Sequence, residues 1–371
     1  MAANVRKNIV ANAKRIVVKV GTNALCDEQG RLDESIISQL AKQIVSAQKR
    51  GVFVTLVASG AIGAGITELD LAERPRVMSR LQATAAVGQG RLMRAFHDAF
   101  EPLHCKIAEI LLLRDDFEHR RRYLNIRNTI NALEAMGHVT PIINENDAVG
   151  GREITIGDND VVAALLTHML RADLLVLLSN VEGVIKDGKV VEVIEQLDAD
   201  TLSLAAHRRS ALGTGGMGSK MSAAGMVASA GEPAIIASAR MPGVLNKIMN
   251  GATVGTLFLP AKRRMSSRDR WIAHAAKSAG RIVVDDGAAR AIIKQGRSLL
   301  PSGVLAVFGE FKKGDTVTII DTQGSQIARG LSNYSSGDVD RIKRLKTSQI
   351  FKTLGSKPAD EIIHRNNLII Q

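Results

Sequence analysis

Arg15-Ile16-Val17-Val18-Lys19-Val20-Gly21-Thr22 and, further on, Val52-Phe53-Val54-Thr55-Leu56-Val57-Ala58-Ser59-Gly60-Ala61-Ile62-Gly63-Ala64-Gly65 share one design. Each is a short apolar run that ends in a tight, glycine-bearing turn. The runs do not alternate apolar with polar residues, as burial on both faces of a parallel sheet requires. The same texture recurs along the chain. Candidate strands are Arg15–Val20, Val52–Ala58, Ile107–Leu113, Thr140–Ile143, Leu174–Ser179 and Pro233–Ala237. Helical periodicity separates them at Glu34–Lys49, Ile62–Asp70, Met78–Phe100, Arg120–Met136, Asn159–Leu170 and Gly216–Ala230. Alternation of this kind predicts an α/β fold with helices on both sheet faces. Ligands are then expected beyond the carboxyl ends of the strands.

Past Pro260 the texture changes. Ala261–Ser278 is basic, carries the sole tryptophan, Trp271, and reads as a linker or short connecting helix. Brief strands follow at Arg281–Val284, Val304–Phe308, Thr316–Ile320 and Ile327–Leu331, separated by Gly-containing turns. Their spacing suggests a small β-rich barrel or sandwich. Three segments are therefore expected: a first domain over 1–260, a linker over 261–280 and a second domain over 281–371.

Composition excludes several classes. The 371 residues are 45% hydrophobic, enough for a sizeable core. No apolar run approaches the roughly 20 residues that cross a bilayer, so no membrane partner is expected. Cys26 and Cys105 cannot build a disulfide framework or a four-ligand zinc site. The first residues lack a secretory pattern, which predicts a cytoplasmic chain. The net charge of +12 is uneven, since residues 262–371 hold 20 Lys and Arg against 10 Asp and Glu. That excess raises nucleic-acid contact as a reading of the tail, beside a solvated basic face or an oligomer contact.

Four clusters carry chemistry. Lys19, on a strand beside a Gly-Thr turn, either meets an anionic ligand or snorkels from the sheet edge. The small residues at 58–65 either bring backbone N–H groups to an oxyanion at a helix start or permit close packing. They do not match a dinucleotide fingerprint. Ile143-Asn144-Glu145-Asn146-Asp147 and Gly157-Asp158-Asn159-Asp160 contain preferred helix caps. Their convergence also suits an ammonium ligand, a Mg²⁺ shell or the orientation of lysines. Gly213-Thr214-Gly215-Gly216-Met217-Gly218-Ser219-Lys220 is no Walker A sequence, because Ser-Lys stands where Lys-Ser is required. A Gly-rich loop that brings one lysine to a helix start is nevertheless a phosphate device, with Lys220 expected on a surface loop. Together these residues describe phosphoryl transfer to a small carboxylate or phosphate, driven by positioning and charge neutralisation.

These ordered motifs, with Lys19-Val20-Gly21-Thr22 at their head, resemble those of the amino acid kinase family, and in particular its glutamate-phosphorylating members, over residues 15–260. The basic tail resembles a PUA domain. The resemblance implies a three-layer α/β/α sandwich around a mainly parallel sheet, followed by a small β-rich, barrel-like PUA domain. It implies ATP and Mg²⁺ as cofactors, with no metal ligand assigned to the protein. The implied reaction converts L-glutamate to L-glutamyl 5-phosphate, the first step of proline biosynthesis. Lys19, Lys220 and Asp160 would be catalytic, with Gly21, Gly60 and Ala61 as backbone donors. Ser59, Gly60, Ala61, Asp147 and Asn159 match glutamate-binding positions. Ser179, Asn180, Thr214, Gly215, Gly216, Met217, Gly218, Ser219 and Lys220 match nucleotide-binding ones. Implied partners are proline as feedback inhibitor, a second copy of the chain in a homo-oligomer, and a functional link to glutamate-5-semialdehyde dehydrogenase. The chain departs from the family pattern at Asn180, where Asp is usual, and at Ala58, where Thr is common. Its segment 184–188 is also shorter. An acetylglutamate or aspartate kinase is disfavoured by Asn144-Glu145-Asn146-Asp147. An RNA-binding protein would leave the N-terminal constellation without a purpose.

Overall fold

Arg15–Val20 is buried at five of its six positions and Leu174–Ser179 at all six, so neither run has a wet face on which polar residues could alternate. The computed structural model describes residues 2–27, 31–150, 158–197, 201, 216–262 and 264–370. They fall into two compact units, Met1–Phe117 with Arg121–Arg264, and Glu118–Arg120 with Met265–Gln371.

The first unit begins α1 (Ala2–Ala11), β1 (Arg15–Val20), α2 (Thr22–Leu25), α3 (Glu34–Lys49), β2 (Phe53–Ala58), α4 (Ala61–Glu68) and α5 (Met78–Phe100). It continues β3 (Lys106–Leu112), α6 (Arg114–Glu118), α7 (Arg120–Met136), β4 (Val139–Glu145), α8 (Asp158–Leu170) and β5 (Leu174–Ser179). A two-residue hairpin, β6 (Ile185–Lys186) and β7 (Lys189–Val190), precedes β8 (Val193–Ile194), α9 (Met217–Ser229), β9 (Ala234–Ser238), α10 (Val244–Met249) and β10 (Thr256–Phe258). Eight strands form one sheet in the order β3-β4-β2-β1-β5-β9-β10-β8. Every ladder in it is parallel except that between β9 and β10. This is the expected α/β architecture, with β1 at the centre.

Side chains alternate across a strand, so β1 feeds two different layers. Ile16, Val18 and Val20 join Ile37, Leu40 and Ile44 of α3 and Phe96 and Phe100 of α5 in one buried cluster. Val17 and Lys19 take the opposite face, where α8 packs on β1 and α9 packs on α8. That parity turns Lys19 inward under α8.

The small residues at 58–65 divide between two jobs. Gly60 caps α4 at φ +115°, a conformation that only glycine adopts without strain. Gly65 serves packing: a Cβ there would lie 1.9 Å from the Thr84 carbonyl oxygen, and one on Gly88 of α5 would lie 1.9 Å from that of Ala61. Two backbones in contact at these points fix where α4 begins.

The described chain of the first unit extends beyond Pro260. Arg264 Nε donates to Glu232 Oε1 at 2.8 Å, and Glu232 itself is only 1% exposed. His168 Nδ1 lies 3.6 Å from the other Glu232 oxygen.

The second unit contains α11 (Ser267–Arg270), β11 (Gly280–Val284), α12 (Asp286–Gln295), β12 (Val304–Phe308), β13 (Thr316–Ile320), β14 (Gln326–Leu331), α13 (Ser336–Ile342), α14 (Ile350–Leu354) and β15 (Leu368–Ile370). Its sheet runs β12-β11-β13-β14-β15, parallel only between β11 and β13. Ile282, Val284, Val317, Ile319, Ile327 and Ile362 anchor a core of its own. Among the described residues, no helix is long and apolar enough to cross a membrane.

The α4–α5 contact predicts opposite outcomes for two glycines of one helix. Gly88→Ala should cost about 1–3 kcal/mol through overpacking. Gly90→Ala, whose Cβ meets nothing within 4 Å, should be neutral or stabilising. Thermal midpoints of the two variants check this, and equal midpoints would contradict it.

Candidate active site

The carboxyl ends of the central strands carry the polar residues. Asp160, in the first turn of α8, is fully buried, and Lys19 and Lys220 are 4% and 5% exposed. Lys19 Nζ stands 2.7 Å from Asp160 Oδ1, and Lys220 Nζ 3.3 Å from Oδ2. The Ser219 hydroxyl also donates to Oδ2, at 2.7 Å. One carboxylate thus gathers a lysine from β1 and a lysine from α9. Lys19 does not snorkel to solvent. Nor does Lys220 ride on a surface loop as expected: it lies in the first turns of a packed helix, with its ammonium on a buried acid.

The electrostatics follow from that grouping. Burial pushes the Asp160 carboxyl up, but Lys19 and Lys220, with hydrogen bonds from Lys19 and Ser219, outweigh it and hold the group below its ordinary value. Burial and the like charge of Lys19 pull the Lys220 ammonium down, against the opposing pull of Asp160. Gly21 passes close to this cluster, since a Cβ there would lie 3.3 Å from Lys19 Nζ.

The neighbouring residue of α8 belongs to a second cluster. Asn159 Nδ2 donates to Ser59 Oγ and to Asn144 Oδ1, each at 3.1 Å. Asn144, at the end of β4, is 1% exposed and donates in turn to Gln89 Oε1 of α5 at 2.8 Å. Gly60 and Ala61 are buried at the start of α4, where free backbone N–H groups collect. Asp147 is half-buried in the turn after β4, which closes as the Asn146 carbonyl accepts from the Val149 and Gly150 N–H groups. Gln89 was not among the expected site residues. A single glutamine on an amphipathic helix has no sequence signature.

The remaining expected residues are placed as follows. Ser179 ends β5 buried, its carbonyl accepting from the Ala239 N–H at 2.7 Å and its hydroxyl donating to Asn180 Oδ1 at 3.3 Å. Asn180 is exposed. Gly216 is the N-cap of α9, and Met217, Gly218 and Ser219 form its half-buried first turn. Thr214 and Gly215, with Gly213 and Gly157, lie outside the described residues. Among the described residues, no three His, Cys, Asp or Glu side chains converge as metal ligands.

Comparison with known proteins agrees with this geometry. The sequence model of the amino acid kinase family matches residues 14–238, and that of the PUA domain matches residues 280–354. A "Glutamate 5-kinase" of Thermoanaerobacter sp. (strain X514) is 46% identical over 363 residues, covering 96% of this chain and 97% of the relative. A "Glutamate 5-kinase" of Geobacter sulfurreducens is 42% identical over 373 residues, covering 98% and 100%.

The Asp160 cluster predicts a specific pH signature for Asp160→Asn. A carboxyl with a depressed folded value contributes stability above its unfolded value of about 3.9 and loses it as pH falls through the folded value. Removing it leaves two buried ammonium groups facing each other, at a cost of about 3–5 kcal/mol near neutrality. The Lys220 ammonium, already held below its ordinary value by burial and the charge of Lys19, sheds its proton more readily folded than unfolded, so the variant should regain stability as pH rises toward about 10. Urea midpoints from pH 3 to 10 test this, and a pH-independent deficit would contradict it.

Proposed function

The chain belongs to the amino acid kinase family, and we propose that it transfers the γ-phosphoryl group of ATP to the side-chain carboxylate of L-glutamate, giving ADP and L-glutamyl 5-phosphate. The observation that carries this reading is the Asp160 carboxylate holding Lys19 and Lys220 together beneath the carboxyl edge of the sheet.

The chemistry suits those residues. A glutamate side chain, with an ordinary value of about 4.3, is already ionised at neutral pH, so the nucleophile needs no general base. What opposes the reaction is repulsion between a carboxylate and a triphosphate. Lys19 and Lys220 would neutralise charge on the transferring phosphoryl group, and Asp160 would keep both ammonium groups aimed without itself moving a proton. Buried between two cations, Asp160 stays ionised and is a poor proton donor. Ser59, Asp147 and Asn159 would bind glutamate, with Asp147 facing the substrate ammonium. Gly21, Gly60 and Ala61 would contribute backbone N–H groups at helix starts. Ser179, Asn180 and the loop through Lys220 would line the nucleotide. Mg²⁺ enters as a companion of the ATP phosphates. Both oxygens of Asp160 are engaged by lysines and Ser219, so this carboxylate does not fit a metal ligand. The second unit, with its own core, would bind or assemble and take no part in catalysis.

Trapping decides the reading. An acyl phosphate reacts with hydroxylamine, so the full chain with ATP, glutamate and hydroxylamine should form glutamyl hydroxamate, and none should form without glutamate. Lys220→Met should lower kcat by about 10²-fold or more, as loss of one preorganised charge contact does. Because the Lys220 ammonium titrates below its ordinary value, kcat/KM for ATP in the wild type should fall on the alkaline side before about pH 10.4. A variant within a few-fold of wild type, or an alkaline limb beyond that pH, would remove Lys220 from the reaction.

A further inference from the structure

The hydrogen bonds that hold Asn159 continue away from the site through three more side chains and have a direction. Both Asn159 Nδ2 protons are engaged, one by Ser59 Oγ and one by Asn144 Oδ1. Its Oδ1 is buried and, among the described residues, has no hydrogen-bond partner. A buried acceptor without a donor is costly, so this oxygen stands ready for a donor that the described residues do not supply.

The orientation of that amide is set from outside. Asn144 Oδ1 also accepts the Glu145 backbone N–H at 2.9 Å, so the atom facing Asn159 must be oxygen. Asn144 Nδ2 then faces Gln89 Oε1 at 2.8 Å, which leaves Gln89 Nε2 to donate to Glu109 Oε1 at 2.5 Å. An ionised carboxylate can only accept. Every bond from Asn159 to Glu109 therefore agrees in polarity. Turning the Asn159 amide over would set its oxygen against Asn144 Oδ1 and present N–H groups to the substrate side.

We propose that Gln89 and Glu109 are positioning residues that, through Asn144, hold the Asn159 carboxamide with its oxygen toward the ammonium group of the substrate, so that the site selects an amino-bearing dicarboxylate over its des-amino counterpart. The inference rests on the reading of the site given above and adds to it the residues that set its selectivity. Neither residue touches the substrate. Glu109 is exposed on β3, so changing it leaves the core intact.

The test is steady-state kinetics on the full chain with Gln89→Leu and Glu109→Lys. It measures KM for glutamate and for ATP, kcat, and the inhibition constant of glutarate, which has both carboxylates but no ammonium. Gln89→Leu should raise KM for glutamate by about tenfold or more, and Glu109→Lys by about three- to tenfold, the range of one lost hydrogen bond. Glutarate inhibition, KM for ATP and kcat should stay within about twofold, a margin below one such bond. Simple electrostatics points the other way for Glu109→Lys, because an added positive charge favours a substrate whose net charge is negative. The inference is overturned if KM for glutamate does not move in Glu109→Lys, or if glutamate and glutarate weaken together. Should Gln89→Leu fail to fold, Glu109→Lys decides alone. A wild-type chain that forms no glutamyl hydroxamate sinks the kinase reading itself, a result distinct from an active wild type whose variants discriminate normally.

Discussion

Two buried ammonium groups can be close neighbours only if something anionic stands between them, and here that anion is Asp160. The rest of the first unit is arranged to make this arrangement tolerable. The carboxylate sits in the first turn of α8, where the positive end of the helix favours it. Its two oxygens face different elements, β1 and α9, so each lysine takes one oxygen. Without the acid, desolvation and mutual repulsion would drive at least one lysine to give up its proton or move away. The site therefore requires β1 at the centre of the sheet, with α8 and α9 packed together over it.

Asn159 and Asp160 are consecutive, and a helix turns by about 100° per residue, a consequence of 3.6 residues per turn. One residue looks toward β2 and β4, where Ser59 and Asn144 wait; the next looks toward β1 and α9. The amide cluster and the cation cluster thus share a single rigid turn, so neither can shift without the other. The close contact of α4 with α5 performs the same service from below. It fixes the start of α4 and so the Ser59-Gly60-Ala61 corner, while α5 also delivers Gln89.

How much of this was legible depended on whether burial or partnership carried the information. Runs buried on both faces announced themselves, and Arg15–Val20 and Leu174–Ser179 coincide with β1 and β5. So did helices with a continuous apolar stripe, such as α3 and α5. By contrast, α1 docks through a short apolar edge of Val5, Ile9 and Val10 and through Arg6, which donates to the carbonyls of Glu192, Val254 and Gly255, and periodicity cannot register those last bonds. The β6–β7 hairpin is too short for a pattern, although Asp187-Gly188, both at positive φ, is a turn signal present in the sequence. In the second unit α12 also carried readable marks, an Asp285 cap and a Gly296 stop. The glycines at 60 and 65 look alike in sequence, yet one shapes a turn and the other admits a helix. Lys19 was ambiguous for a deeper reason. Whether a strand lysine snorkels or turns inward depends on a partner 141 positions away, which no local pattern contains.

That dependence explains why the site is built from paired side chains and not from one reactive group. When the attacking atom is already an anion, lowering its charge by proton transfer would only weaken it. The protein can help only by holding positive charge where two anions must meet and by keeping water from replacing it. On the proposed reading, held charge needs counter-charge before the substrates arrive, which Asp160 would supply at once to both lysines. It also needs rigidity, because a mobile ammonium would follow its nearest oxygen and reorganise as charge moves. A buried carboxylate in a helix turn, braced by Ser219 and flanked by the amide cluster, meets both demands with groups that never titrate near neutral pH.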